Sequence, residues 1–155
     1  ADVAKVNDDD ATCEALDVLV SAHLAKGDAD GAVAAAKEAT SAKGKVEACA
    51  NMLLGTALMA KSAESEVPVE AKATAKEAAA AAKKAASVYQ AQKMTKEQAG
   101  ALKAVAISLI KAAEFSEAAA TAKELQELGK DEKAAGLELG AKALLGLASC
   151  TTRGQ

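Results

Sequence analysis

The stretch KGDADGAVAAAKEA, residues 26–39, decides which fold class the sequence predicts. Near its start stand glycine and aspartate, residue types that respectively end one helix and cap the free N–H groups of the next. Alanine then fills most of the remaining positions. Because alanine favours a helix but buries little surface, this helix must lie close against its neighbour rather than fill a core with bulky side chains. We therefore expect two closely packed helices joined by a tight turn.

The composition extends this expectation to the whole chain, which we predict to be all-α. Its 155 residues suit one domain; 51% are hydrophobic, but only 1% are aromatic, and there is a single proline. Much of the apolar content is alanine, so the core requires close approach between helices. The formal net charge of −3 disfavours nucleic acid or an anionic membrane as a partner. No apolar run approaches the roughly 20 residues that span a bilayer, so we predict no membrane span.

Helix start and stop signals recur along the chain. Gly27 and Gly44 are predicted to end helices, Pro68 suits the first turn of another, and Thr95 with Gln98 is predicted to form a capping box. We predict about seven helices with short connections, which implies antiparallel neighbours. The predicted organisation is an N-terminal tail over 1–7, one helical-repeat domain over 8–149 and a C-terminal tail over 150–155. The hairpins of this domain are placed at about 8–42, at 45–93 with an insertion near 62–70, and at 95–129, before a final helix at 131–149.

The helices repeat with a period of about 34 residues, a length typical of two-helix repeat units. At this shift Leu19 falls on Leu53, and Val105 falls on Leu139. Each unit is too small to be stable alone, so the repetition predicts a solenoid in which stacked hairpins bury one another's faces.

On these residues the chain resembles the tetratricopeptide repeat family. The family's hairpin has large, leucine, small and aromatic positions along its first helix, a Gly-Asp-like turn, and small residues on its second helix. The matching positions here are Leu16, Leu19, Val20 and His23, then Gly27, Asp28, Ala32 and Ala39. Most aromatic positions are aliphatic in this chain, and the usual proline after the second helix is missing. The resemblance implies antiparallel helical hairpins stacked as a right-handed solenoid; the alternative is a looser alanine-rich bundle.

In that family the first helices of the repeats line an inner groove. The register implied by the resemblance lines the groove with residues from four successive first helices: Glu14, Asp17, Ser21 and Leu24, then Asn51, Gly55 and Leu58, then Lys103, Ile107 and Ile110, and then Leu137, Ala141 and Leu144. The first half lacks the Lys, Asn and Arg set with which some members hold a C-terminal carboxylate. Binding of chaperone tails is therefore disfavoured.

The sequence contains no recognisable catalytic or metal-binding set. His23, the single histidine, has no acid or nucleophile at catalytic spacing, and we expect it to pack at the core or its edge. The three cysteines are an odd number without metal-like spacing, which argues against a disulfide framework. Cys13 and Cys49 begin successive first helices, so we expect them to approach as a buried thiol pair, with a redox role as the alternative.

Apolar residues of the later helices are the predicted binding surface. The last helix carries leucines in more directions than one buried stripe needs, whereas the terminal helix of a solenoid should have a polar outer face. We therefore predict a non-catalytic protein–protein interaction module, a scaffold or accessory subunit that binds other protein subunits. The predicted partner-binding residues are Ile107, Ile110, Leu137, Ala141, Leu144, Leu145 and Leu147.

This prediction includes no enzyme activity, no cofactor, no metal and no small-molecule substrate. The alternative is a free protective or lipid-associating helical protein, suggested by the alanine-rich and lysine-rich segment 71–87. The chain opens without methionine or a hydrophobic signal core. We therefore expect that either a targeting segment has been removed or the sequence begins inside a longer chain, and the cysteine pattern favours a reducing compartment or an organelle interior.

Overall fold

The computed structural model describes residues 2–153, and side chains from residue 8 to residue 152. Within this range the chain forms seven α-helices and no strand, which confirms the all-α prediction. The helices are α1 (Asp2–Ala25), α2 (Ala29–Ala39), α3 (Lys45–Glu64), α4 (Pro68–Ala91), α5 (Thr95–Lys111), α6 (Phe115–Leu128) and α7 (Lys130–Arg153).

The turn between α1 and α2 has the structure that its sequence predicts. Gly27 adopts a φ of +74°, and Asp28 is the N-cap of α2. The backbone N–H of Gly31 donates to Oδ1 of Asp28 at 2.8 Å, while Nδ1 of His23 lies 2.8 Å from the other carboxylate oxygen. A Cβ at Gly31 would overlap both the carboxylate and the imidazole, so a larger residue here would have to displace these two side chains from the cap. The predicted Asp28 cap is therefore confirmed.

Other helix boundaries differ from the sequence prediction. The backbone of residues 2–7, for which we predict a tail, belongs to α1, and α7 continues through the predicted second tail to Arg153. Asp10 lies inside α1, where it forms an ion pair with Lys45 of α3. The predicted capping box is wrong: Met94 is the N-cap of α5, with no side-chain cap hydrogen bond. Gln98 is buried and lines a cleft with Thr121 of α6 instead of reaching back.

Helices adjacent in the chain pack against each other throughout the described residues. Among the non-adjacent pairs, α1 contacts α3, α5 contacts α7, and α3 makes a slighter contact with α5. Most of the buried apolar residues are alanines, which confirms that the core depends on close helix approach. The approach of α3 to α4 is an example, because a Cβ on Gly55 would lie only 3.4 Å from the carbonyl oxygen of Ala78.

The buried apolar residues form three clusters. The N-terminal cluster, around Leu16 and Val20, joins α1, α2 and α3. The central cluster, which includes Tyr89 and Leu102, extends from α3 to α7. A third cluster around Leu109 joins α4, α5, α6 and α7. The alanine-rich α4 contributes to the second and third, so its small side chains lie inside the protein.

Candidate interaction surfaces

The last helix has two apolar faces, and only one of them is buried. Leu139 and Ala143 lie in core clusters, with 8% and 0% of their surface exposed. Leu137, Leu144 and Leu145 are 54%, 61% and 70% exposed. Helical spacing puts these three leucines, together with the exposed Ala141, on the side away from the buried residues. We call Leu137, Ala141, Leu144 and Leu145 the α7 face.

The other predicted partner-binding residues lie elsewhere. Ile107 is 49% exposed and lines a small apolar cleft between α3, α4 and α5 together with Met59 and Ala82. Ile110 is half-buried and packs against two core clusters. Leu147 is also half-buried, on the inner side of α7. Of the seven predicted residues, the structure therefore places four together on the α7 face.

A second surface feature is a groove of about 430 Å³ formed by α1, α3, α4 and α5. Its lining contains exposed carboxylates, apolar side chains and a disulfide. We call it the acidic groove, and its lining residues are Cys13, Glu14, Asp17, Cys49, Met52, Leu53, Tyr89, Glu97 and Gly100.

The acidic groove shares two residues with the groove that the family resemblance implies, and both lie on α1. Glu14 and Asp17 line the acidic groove. Asn51, Gly55 and Leu58 do not, because they are buried on the face of α3 that packs toward α4. Because those three residues occupy the buried face of α3, a different face of the helix, with Cys49, Met52 and Leu53, lies at the groove. Sequence reasoning also missed Tyr89 and Glu97, since nothing in the spacing brings the end of α4 and the start of α5 to a groove formed mainly by α1 and α3.

Cys13 and Cys49 are joined by a disulfide, so the prediction of a buried thiol pair is wrong. Their Cα atoms lie 6.1 Å apart, within the range that a disulfide spans. The predicted approach of the two residues is confirmed, because α1 and α3 pack side by side. Cys150, the odd cysteine, lies exposed near the end of α7.

The charges around the acidic groove act on Tyr89. Burial raises the pKa of the Tyr89 hydroxyl, and the negative charge of Glu97 raises it further. The charge of Lys45 opposes this effect on the pKa of Tyr89, but Lys45 is itself paired with Asp10, and that partner raises the pKa of Lys45. The side chains that line the groove therefore present negative charge over an apolar surface.

His23 takes part in the turn between α1 and α2. His23 contacts the carboxylate of Asp28, whose pKa is lowered first by its bond from the Gly31 amide and then by His23. Among the described side chains, no three His, Cys, Asp or Glu residues are grouped so as to hold a metal ion. No helix within residues 2–153 combines the length and the apolar character needed to cross a membrane.

Comparison of the chain with known protein families, with curated proteins and with solved structures found no match.

Proposed function

We propose that this protein is a non-catalytic interaction module, a scaffold or accessory subunit of a larger protein complex. Its framework would be a right-handed solenoid of tetratricopeptide-like hairpins. The order of helix contacts supports this arrangement: adjacent helices pack together, and contacts between non-adjacent helices relate α1 to α3, α3 to α5 and α5 to α7. In stacked hairpins, each first helix touches its own partner and the first helix of the next unit.

The exposed leucines of the α7 face are the observation that carries the functional proposal. A terminal repeat needs a polar outer surface to remain soluble, yet Leu137, Leu144 and Leu145 are each more than half exposed. At roughly 25 cal/mol per Å² of apolar surface, covering three leucines contributes several kcal/mol to an association. Clustered apolar residues of this kind mark protein interfaces more often than scattered single ones do.

The alternative, a free protective or lipid-associating helical protein, has less support. The segment that suggested it lies in α4, and most of its alanines are buried in the protein rather than available to a lipid surface. Ala78, Ala82 and Ala85 are among those with at most 1% of their surface exposed.

The test is recovery of a protein complex from the native source with two matched variants. Leu144→Asp combined with Leu145→Asp places charge on the α7 face, and Val18→Asp makes the same change at an exposed apolar residue of α1. We expect the first variant to lose the partner and the second to keep it, with unchanged helical circular dichroism in both. Recovery of the same complex with both variants would overturn the proposal, as would a protein that unfolds cooperatively but forms no complex.

A further inference from the structure

We propose that the acidic groove binds a segment of a partner protein in which a lysine or arginine lies next to an apolar side chain. This surface is distinct from the α7 face, and the inference does not require that face to bind anything. It rests on the apolar floor of the groove, on the charge of its rim and on its size.

The floor of the groove is an exposed part of the core. Met52 is half-buried and packs against the central cluster, and Tyr89 belongs to that cluster. Leu53 is half-buried and packs against the N-terminal cluster. The groove thus opens where the two clusters meet, and an apolar side chain placed there covers surface that the protein itself leaves in contact with water.

The rim of the groove is anionic on both sides. Glu14 and Asp17 stand on α1, and Glu97 stands on α5; all three are exposed. None of the described side chains that line the groove is basic. Lys45, the basic residue whose charge acts on Tyr89, is already paired with Asp10 outside the lining set. The rim therefore attracts cations and repels anionic ligands.

A lysine or arginine next to an apolar residue fits both features at once. The aliphatic stem of such a side chain covers apolar surface while its charged end reaches the carboxylates of the rim. The volume of about 430 Å³ suits a few side chains rather than an entire helix. The disulfide in its wall fixes α1 against α3, so the groove is preformed and little binding free energy goes into ordering it.

The test uses a fluorescein-labelled peptide of alternating arginine and leucine, about 12 residues long, titrated into the oxidised protein. We expect saturable binding that weakens about tenfold or more in Glu14→Lys combined with Glu97→Lys, because each substitution replaces an attraction with a repulsion. Glu38→Lys combined with Glu127→Lys is the matched control, since it changes the net charge equally at exposed positions outside the groove. Glu14→Gln combined with Glu97→Gln gives an intermediate loss without introducing positive charge.

Methyl-labelled methionine locates the bound peptide independently of affinity. The chain has three methionines, of which Met52 lines the acidic groove and Met59 lines the cleft beside Ile107. We expect the Met52 methyl resonance to shift on titration and the Met59 resonance to remain in place. Circular dichroism confirms that each charge variant is folded.

Four outcomes would overturn the inference. These are no binding of the peptide, equal weakening by the groove variant and its control, a shift of Met59 without Met52, or equal binding of a peptide with alanine at every leucine. The last would show that the groove takes a free cation rather than a protein segment. Because the α7 face is intact in every variant, failure here is distinguishable from failure of the proposed function.

Discussion

Cys13 and Cys49 form a covalent link between α1 and α3, with their Cα atoms 6.1 Å apart. This link supplements a small interface: among the described side chains of α1, only Leu16 and Val20 are buried. An ion pair also joins the two helices: Asp10, one helical turn before Cys13, pairs with Lys45 of α3. The position of α1, and with it one wall of the acidic groove, therefore depends on the disulfide.

Reduction of the disulfide, or Cys13→Ser with Cys49→Ser, is expected to lower the free energy of unfolding. The link closes a loop with a sequence separation of 36 residues, for which the loss of chain entropy in the unfolded state amounts to about 3–4 kcal/mol. Urea denaturation measures this difference. Hydrogen exchange should accelerate most in α1, because only two of its described side chains, Leu16 and Val20, are buried. Cys150→Ser is the control, and an equal loss of stability in that variant would contradict the assignment.

The cysteine pair also illustrates what the sequence predicted and what it could not. The spacing of Cys13 and Cys49 at the starts of successive first helices predicted their approach, because helical repeats place such positions side by side. The odd number of cysteines favoured free thiols, and the sequence contains no distance between Cys13 and Cys49 that could have indicated a disulfide instead. Only the packing of α1 against α3 shows that the Cα separation suits a bond.

Two α1 residues of the acidic groove, Glu14 and Asp17, are among those that the sequence assigned to a groove, whereas its α3 residues are not. In α1 the buried positions form a narrow stripe of Leu16 and Val20. Helical spacing therefore shows which α1 residues lie on the exposed faces. In α3 apolar residues occur on nearly every side, and periodicity alone does not show which of them face α4. The close approach at Gly55 decides this point, and it is a property of the packed helices rather than of the α3 sequence.

Two glycines of α7 should respond in opposite ways to substitution by alanine. A Cβ on Gly136 would lie 2.7 Å from the carbonyl oxygen of Ala122, so Gly136→Ala forces α6 and α7 apart. We expect it to lower the free energy of unfolding by about 1–3 kcal/mol, as overpacking does. Gly140→Ala meets its nearest neighbour at 3.7 Å and gains helix propensity, so we expect it to raise stability by about 0.5–1 kcal/mol. Thermal or urea denaturation of the two variants measures both changes in stability. An equal change in the two variants would contradict the close contact between Gly136 and Ala122.

The turns after α4 and α5 place a residue other than glycine in the left-handed region. Lys93 has a φ of 57° and Ala113 a φ of 61°. In each turn the next residue, Met94 or Glu114, donates its backbone N–H back into the helix at 2.9 Å. Because the left-handed conformation costs alanine about 1–2 kcal/mol, Ala113→Gly should raise the free energy of unfolding by about 0.5–1 kcal/mol. Ala120→Gly, at an exposed position inside α6, is the control and should lower stability by a similar amount. Loss of stability in both variants would contradict the assigned turn.

The contribution of Asp28 to stability should depend on pH in a direction fixed by its pKa. The Gly31 amide and His23 lower the pKa of Asp28 below its ordinary value of 3.8. A carboxylate with a lowered pKa in the folded state stabilises the protein above its unfolded pKa, and the contribution disappears as the pH falls through the folded value. Asp28→Ala should therefore reduce the urea midpoint at neutral pH, and its difference from the unmodified protein should shrink as the pH falls below 3.8, the ordinary pKa of this group.

Asp28→Asn separates the charge of this residue from its hydrogen bond. An asparagine oxygen still accepts from the N–H at the start of α2, so this variant retains the cap but loses the negative charge beside His23. We expect its urea midpoint at neutral pH to lie between those of the unmodified protein and Asp28→Ala. Since asparagine does not titrate, its difference from the unmodified protein should also diminish in acid. A difference that stays constant from neutral pH to acid would show that Asp28 acts through shape alone, without its charge.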